Sequence, residues 1–351
     1  MADAKVRIAI LGASGYTGAE LLRLLIAHPQ AAIVALTADR AAGQGIEAVF
    51  PHLGGHGLPA LTRIEDLDLA TVDVVFCALP HGVTQTVVAD LLARRPALRV
   101  IDLSADFRLA DPATYAAWYG HEHQALALQR EAVYGLTEVH RDAIAAARLV
   151  ANPGCYTTTA ELPLIPLLEA GLIDPDEIIV DAKSGVTGAG RALKQSSLFT
   201  EVAEGVNAYG VGKHRHAPEI EQELSHAAGR PVAITFTPHL MPMNRGILAT
   251  IYVKLAGGAT AEGLRELLAA RYRADAFVQV LPFGEGPATR DVRGTNLCRI
   301  GVFADRRPNR AILIAATDNL VKGASGQAVQ NMNVMLGLPE TAGLLQVALF
   351  P

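Results

Sequence analysis

The chain has 351 residues, 50% of them hydrophobic, enough to bury a core in each of two domains. Its net charge of −5 excludes bulk attraction to nucleic acid or to an anionic membrane, so an anionic ligand has to be met by local Arg and Lys side chains. Its 3 cysteines have no CxxC spacing, which argues against a zinc site or a disulfide framework; no metal is expected, and a reducing, cytoplasmic setting is.

The first apolar run, VRIAIL at 6–11, is short and β-branched and stops at Gly12. It reads as a buried parallel strand, too short for a signal sequence or a membrane span. Leu and Ile at helical spacing predict a helix over 18–27, stopped by Pro29. Strands follow at 33–37, 73–79 and 99–104, with a helix over 83–94. This alternation predicts an α/β, doubly wound Rossmann-type domain over 1–151. Beyond it, strands at 232–238, 247–255, 299–304 and 312–317 have fewer helices between them, which predicts an α+β catalytic and oligomerisation domain over 152–318. A helical pattern over 319–336 is expected to return to the first domain, so that 319–351 completes it.

The loop Gly12, Ala13, Ser14, Gly15, Tyr16, Thr17, Gly18 lies between the first strand and the first helix. Glycines there let the backbone approach a diphosphate, and the amides and dipole of a helix N-terminus stabilise its charge. The spacing departs from the usual G-x-G-x-x-G, so the position of the loop carries the reading. After the second strand, Asp39 would favour a ribose 2′-hydroxyl and Arg40 a 2′-phosphate. The cofactor read here is NADP(H), with Thr37 and Arg40 among its contacts.

Cys77 and Cys298 lie in or beside apolar strands and read as small buried hydrophobes. Cys155 follows Asn152-Pro153-Gly154 and precedes a helical run, so its thiol sits at a strand-to-helix turn where thiolate is favoured. Its proton partner is sought in GKHRHAPEIEQEL, where His214 and His216 precede a helix opened by Pro218 and Glu219 is near enough to assist. Either histidine fits the role. Arg108, Lys183, Arg191 and Arg245 lie in polar or glycine-rich segments and together suit a phosphate and a carboxylate. Ser184 and Gly185 share the loop of Lys183 and Arg191 and join the cofactor set.

The motifs GASGYTGAELLRLL, CALPHG, DLSADFRL, YGLTE, NPGCYTTT, DAKSGVTGAGR, GKHRHAPEI, PHLMPMNRGI and DNLVKGASGQAVQNMN occur in this order from Gly12 to Asn333. In them the chain resembles the N-acetyl-gamma-glutamyl-phosphate reductase family, a branch of the aspartate-semialdehyde dehydrogenase-like enzymes. The resemblance implies Cys155 as nucleophile and His216, or His214, as acid/base, with Glu219 assisting. It also implies a diphosphate loop at Gly12 to Gly15, Asn319 near the nicotinamide at the opening of the last helix, and Arg108 at a phosphate site. Its substrates would be an acyl phosphate or semialdehyde and phosphate, turned over with NADPH in arginine biosynthesis by a homodimer or homotetramer. The same chemistry on a carrier-linked aminoadipyl phosphate is the near alternative; a non-catalytic NADP-binding redox sensor is the alternative from another class.

Overall fold

The computed structural model describes residues 5–350. The chain divides into two compact units. The first runs to Pro153 and resumes over Ala324–Leu345; the second is Gly154–Gly323 with the tail from Gln346.

The first unit holds a seven-stranded sheet: β1 (Val6–Leu11), β2 (Ala31–Thr37), β3 (Leu61–Thr62), β4 (Val74–Cys77), β5 (Arg99–Asp102), β6 (Val133–Tyr134) and β7 (Leu149–Ala151). Their order is β3-β2-β1-β4-β5-β7-β6, and every pairing is parallel. This is the doubly wound arrangement read from the sequence. Ile8, Ala9, Ile10 and Leu11 are fully buried, as a central parallel strand requires; each such Leu or Ile contributes about 1.5–3 kcal/mol. The order reverses between β1 and β4, and ligands of open α/β sheets bind beyond the strand ends at such a point.

The helix Gly326–Met335 belongs to this unit and explains the amide-rich motif GQAVQNMN. Its Gln327, Gln330, Asn331 and Asn333 are all fully buried. Gln327 and Asn331 donate to the Gly135 carbonyl at 3.0 and 2.8 Å, Asn331 donates to Asn152 Oδ1 at 3.1 Å, and Gln330 donates to Glu138 at 2.9 Å. Buried amides persist only when paired, so these residues specify how the helix docks on YGLTE and on the Asn152 turn.

The second unit holds β8 (Ile173–Gly185), β9 (Asn207–Ala208), β10 (Thr235–Met241), β11 (Ile247–Leu255), β12 (Val278–Val280), β13 (Cys298–Ala304) and β14 (Arg310–Thr317). The sheet is mixed, in the order β12-β13-β14-β11-β8-β10-β9. Along β11, Ile247, Ala249, Ile251 and Val253 are buried while the intervening side chains are half-buried, the alternation of a sheet covered on one face. The helices Cys155–Glu169 and Ala261–Arg271 pack against this sheet.

Two expectations are corrected. No helix opens at Asn319: a single π-helical turn, Val321–Ser325, comes first, and the helix begins at Gly326. The cause is Asp318, fully buried, whose carboxylate accepts the Leu320 and Val321 amides at 2.8 and 3.2 Å and so fixes a turn. Nor do residues 319–351 group as one piece with the first unit. Residues 319–323 and the tail from Gln346 group with the second, where Leu349 N–H donates to the Arg293 carbonyl at 3.0 Å.

Candidate active site

In the first unit the glycine loop leaves the end of β1. Gly12 has φ +78, and a Cβ there would lie 2.4 Å from the Ala78 carbonyl oxygen, so only glycine fits. The amides of Gly12 and Ala13 donate to the Thr37 carbonyl at 3.1 and 2.9 Å, which hangs the loop on the end of β2. Thr37 itself is fully buried beneath it. Gly15 caps the helix Tyr16–Ile26 without any side-chain cap, and Tyr16, Thr17 and Gly18 form its first turn. Leading amides left without a side-chain cap, together with the macrodipole, form an anion cradle, so Gly12 to Gly18 fit a dinucleotide diphosphate. Arg40 lies in the exposed turn Asp39–Ala41 that follows β2. Arg108 is 7% exposed and donates Nη2–H to the Leu103 carbonyl at 3.0 Å, beyond the carboxyl end of β5.

In the second unit, Cys155 is the first residue of the helix Cys155–Glu169 and is half-buried. The helix N-terminus stabilises negative charge on its sulfur. Glu219, 1% exposed, lies in the first turn of the helix Ala217–Ala228. Its Oε1 accepts the Gly154 N–H at 2.7 Å and lies 2.9 Å from Thr157 Oγ1. The turn that presents Cys155 and the start of the histidine helix are thus tied together through one carboxylate. His216 is the residue that caps that helix.

His214 is enclosed by rings: Tyr156 at 5.6 Å between centroids, Tyr209 at 5.3 Å, Phe236 at 5.3 Å and His216 at 4.8 Å. Burial, with a smaller contribution from the Arg215 cation, pushes its pKa down to about 4. Its Nδ1 accepts the His216 backbone N–H at 3.1 Å, so the neutral ring carries its proton on Nε2. Such a ring suits hydrogen-bond donation and does not cycle protons near neutral pH. Tyr209 donates to Tyr156 Oη at 3.1 Å, and Tyr156 donates to the His239 carbonyl at 3.2 Å. Burial, then the neighbouring Tyr209 and Cys155, hold the Tyr156 phenol far above its usual range, so it stays protonated.

Asn319 Oδ1 accepts the Gly246 N–H at 2.8 Å and its Nδ2 donates to Thr187 Oγ1 at 2.9 Å. Ser184 is buried, and a Cβ on Gly188 would lie 3.1 Å from its hydroxyl and 3.9 Å from Asn319 Nδ2. Ser184, Thr187, Gly188, Gly246 and Asn319 form one cluster, and Gly185 packs on the backbone of Arg245. The Arg245 guanidinium lies 3.6 Å from the buried Asp318 carboxylate. Lys183 is not in this cluster. Side chains alternate along β8, which sends Lys183 to the face opposite Ser184, where its ammonium donates to Asp181 at 2.7 Å. Arg191 lies in an exposed segment.

Five residues of this site, Tyr209 among them, went unread in the sequence. Tyr156, Thr157 and Asp318 lie inside motifs whose neighbours carried the chemistry. Gly323 is another: a Cβ on it would lie 2.7 Å from Cys155 Cβ, so the π turn presses directly on Cys155. Its place, five residues past Asp318 in DNLVKG, was the available signal. Among the described residues no cluster of three or more His, Cys, Asp or Glu side chains has metal-binding geometry, and no helix is long and apolar enough to cross a membrane.

Residues 7–147 match the NAD-binding domain of semialdehyde dehydrogenases, and residues 155–319 match their dimerisation domain. The chain is 65% identical over 349 residues to an N-acetyl-gamma-glutamyl-phosphate reductase of Rhodospirillum rubrum, covering 99% of both chains. It is 57% identical over 346 residues to a probable chloroplastic enzyme of the same name from Arabidopsis thaliana, covering 99% of this chain and 86% of the relative. In structure it is similar to aspartate semialdehyde dehydrogenase II of Vibrio cholerae, with a TM-score of 0.73 at 18% identity over 95% of this chain and 99% of that one. The NADP complex of the Candida albicans aspartate semialdehyde dehydrogenase gives 0.67 at 16% identity over 95% and 99%. These last two likenesses speak for the fold, and the sequence relatives for the closer kinship: the chain belongs to the N-acetyl-gamma-glutamyl-phosphate reductase family, built on the two-domain plan of the semialdehyde dehydrogenases.

Proposed function

We propose that this chain reduces N-acetyl-gamma-glutamyl phosphate to N-acetylglutamate 5-semialdehyde and phosphate with NADPH, in the arginine biosynthesis of the cytoplasm. The observation that supports it most directly is the pairing of two helix starts, one opening on Cys155 and the other capped by His216, joined through Glu219. The His216 imidazole takes the thiol proton, and Cys155 Sγ attacks the carbonyl carbon of the acyl phosphate. Phosphate leaves, and a thioester remains on Cys155. A reduced nicotinamide, held by the Gly12 to Gly18 loop and by Ser184, Gly185 and Asn319, would supply the hydride that takes this carbon to the aldehyde oxidation state. As the C–S bond breaks, His216 returns its proton to the sulfur. The backbone N–H of Cys155, at its helix start, is the donor offered to the developing oxyanion.

Gly12 to Gly18 hold the diphosphate, and Arg40 meets the 2′-phosphate that separates NADP from NAD. Ser184, Gly185 and Asn319 serve the nicotinamide end. Arg108 and Arg245 take the phosphate and the carboxylate of the substrate, each being a guanidinium fork suited to planar anions. The open face of the second sheet, with Ile179, Leu248, Tyr252, Ile312 and Ile314 exposed or half-buried, receives a second copy in a homodimer or homotetramer.

The test runs the reaction backwards: phosphate-dependent reduction of NADP by purified protein with N-acetylglutamate semialdehyde. Turnover that needs phosphate and is weak with aspartate semialdehyde supports reaction and substrate together. Turnover only with another semialdehyde overturns the substrate, and none with any semialdehyde overturns the chemistry.

A further inference from the structure

A helix that begins with Cys155 leaves its first amides without a cap of its own, because Gly154 at the cap position has no side chain. In a capping box the third helical residue is an acid that reaches back to the cap residue's amide. Here the third residue is Thr157, and the carboxylate that takes the Gly154 amide comes from the neighbouring helix, at Glu219. Thr157 is fully buried, and its hydroxyl lies 2.6 Å from the Gly154 carbonyl and 2.9 Å from Glu219 Oε1. The single hydroxyl proton is shared between these two acceptors, a three-centre arrangement common at helix termini.

We propose that Thr157 is a positioning residue for the nucleophile: its hydroxyl holds the Glu219 carboxylate against the turn that presents Cys155. The proposal rests on the reading of Cys155 as the nucleophile. Two effects follow from the contact. The carboxylate keeps a fixed place under the turn, so the sulfur keeps its place as well. The hydroxyl also draws off part of the charge of the buried carboxylate that accepts the amide preceding Cys155 and opposes formation of the thiolate. Thr157→Val keeps the shape and removes the hydroxyl; Thr157→Ser keeps the hydroxyl and removes a methyl.

The measurement is the rate of alkylation of Cys155 by iodoacetamide as a function of pH, without substrate or cofactor, with the melting temperature of each variant recorded alongside. In Thr157→Val the profile should move to higher pH, slowing alkylation at pH 7 by roughly 3- to 10-fold, since one pH unit of displacement is a factor of ten in thiolate. Thr157→Ser should return the profile to that of the parent. If the valine variant does not fold, Thr157→Ala, favourable in a helix, takes its place with the same expectation. A valine or alanine profile superimposed on the parent's overturns the proposal, and so does a serine profile displaced as far as theirs. A general loss of stability lowers the melting temperature without moving the profile. Should Cys155 react no faster than Cys77 and Cys298 in the parent, the reading of the nucleophile itself fails, a result distinct from failure of the clamp.

Discussion

Gly323 can be tested with a single methyl group. Its backbone does not lie in the left-handed region, so the demand for glycine at this position is one of space. A Cβ would stand 2.7 Å from Cys155 Cβ, 3.1 Å from Cys155 Cα and 3.3 Å from the Asp318 carbonyl oxygen. Carbon atoms in contact sit about 3.5–4.0 Å apart, so Gly323→Ala forces a displacement of nearly 1 Å. Its neighbours resist: the Gly323 amide donates to the Asp318 carbonyl at 2.9 Å, and the Gly154 amide is held by Glu219. Overpacking of this kind costs about 1–3 kcal/mol of stability. Displacing a reacting atom by about 1 Å costs on the order of 10²-fold in turnover. The assay is kcat and KM for the phosphate-dependent reverse reaction, beside a melting curve and an NADP titration. We expect kcat to fall by about two orders of magnitude, Tm to drop by a few degrees and NADP affinity to change little. A variant with the parent's kcat would refute the reasoning, because it would mean that the sulfur's position is not set by this contact.

Cys155→Ser should lose most turnover and still bind NADP in a fluorescence titration; near-normal turnover would remove the thioester from the mechanism. His216→Asn should lower kcat by about 10²–10⁴-fold, the usual contribution of a general acid–base, whereas His214→Asn should leave the acidic limb of the kcat/KM profile where it is. An acidic limb abolished in His214→Asn would reverse that assignment. His214 also has a signature in stability. Its pKa in the folded protein is about 4 against an ordinary 6.5, so the unfolded chain binds more protons between those values. The stability it contributes is fully present above pH 6.5 and is lost as pH falls through 4. His214→Asn should therefore lose less Tm than the parent between pH 6.5 and 4.5, and equal losses would contradict the burial argument. Arg40→Ala should raise KM for NADP by about 10-fold or more with little change for NAD, since a charge-assisted hydrogen bond contributes about 1.5–3 kcal/mol; equal effects on both would move the 2′-phosphate contact elsewhere.

What could be read from the chain was whatever depends on neighbours in sequence. The strand at 6–11 needs only its β-branched run and the glycine after it, and the structure places β1 over those residues. The strand β11 was equally plain, because alternation writes its covered face into every second residue. By contrast β8 begins at Ile173, where Asp174, Pro175 and Asp176 interrupt the apolar pattern that resumes at Ile178. Asp174 is accounted for by Lys254 at 3.1 Å and Asp176 by Arg230 at 2.8 Å, partners that no local window contains. The expected helix from 319 failed for a related reason. DNLVKGAS has a helical pattern, but the buried Asp318 holds it in a turn and Gly323 is committed to close packing on Cys155. Lys183 was a different error: alternation along its strand already separated it from Ser184, and the two were assigned to one loop nonetheless.

The same distinction divides the site. Cys155, His216 and Glu219 could be proposed from the chain alone because each belongs to a side-chain type that does chemistry, and the structure places each at a helix start. Tyr209, Thr157 and Gly323 could not, because their roles exist only in contacts made across the fold. Tyr209 meets Tyr156 across 53 positions, and Thr157 meets Glu219 across 62. A phenol, a hydroxyl and a missing side chain have no chemistry of their own to advertise here; what they have is contact with the groups proposed to react. It follows that substitutions at the two kinds of position should differ in kind. Removing a reacting group abolishes the step it performs. Removing a positioning contact leaves every reacting group in place and shifts where, or at what pH, it acts, so a pH profile or the separation of kcat from KM reveals the second kind where loss of activity alone does not.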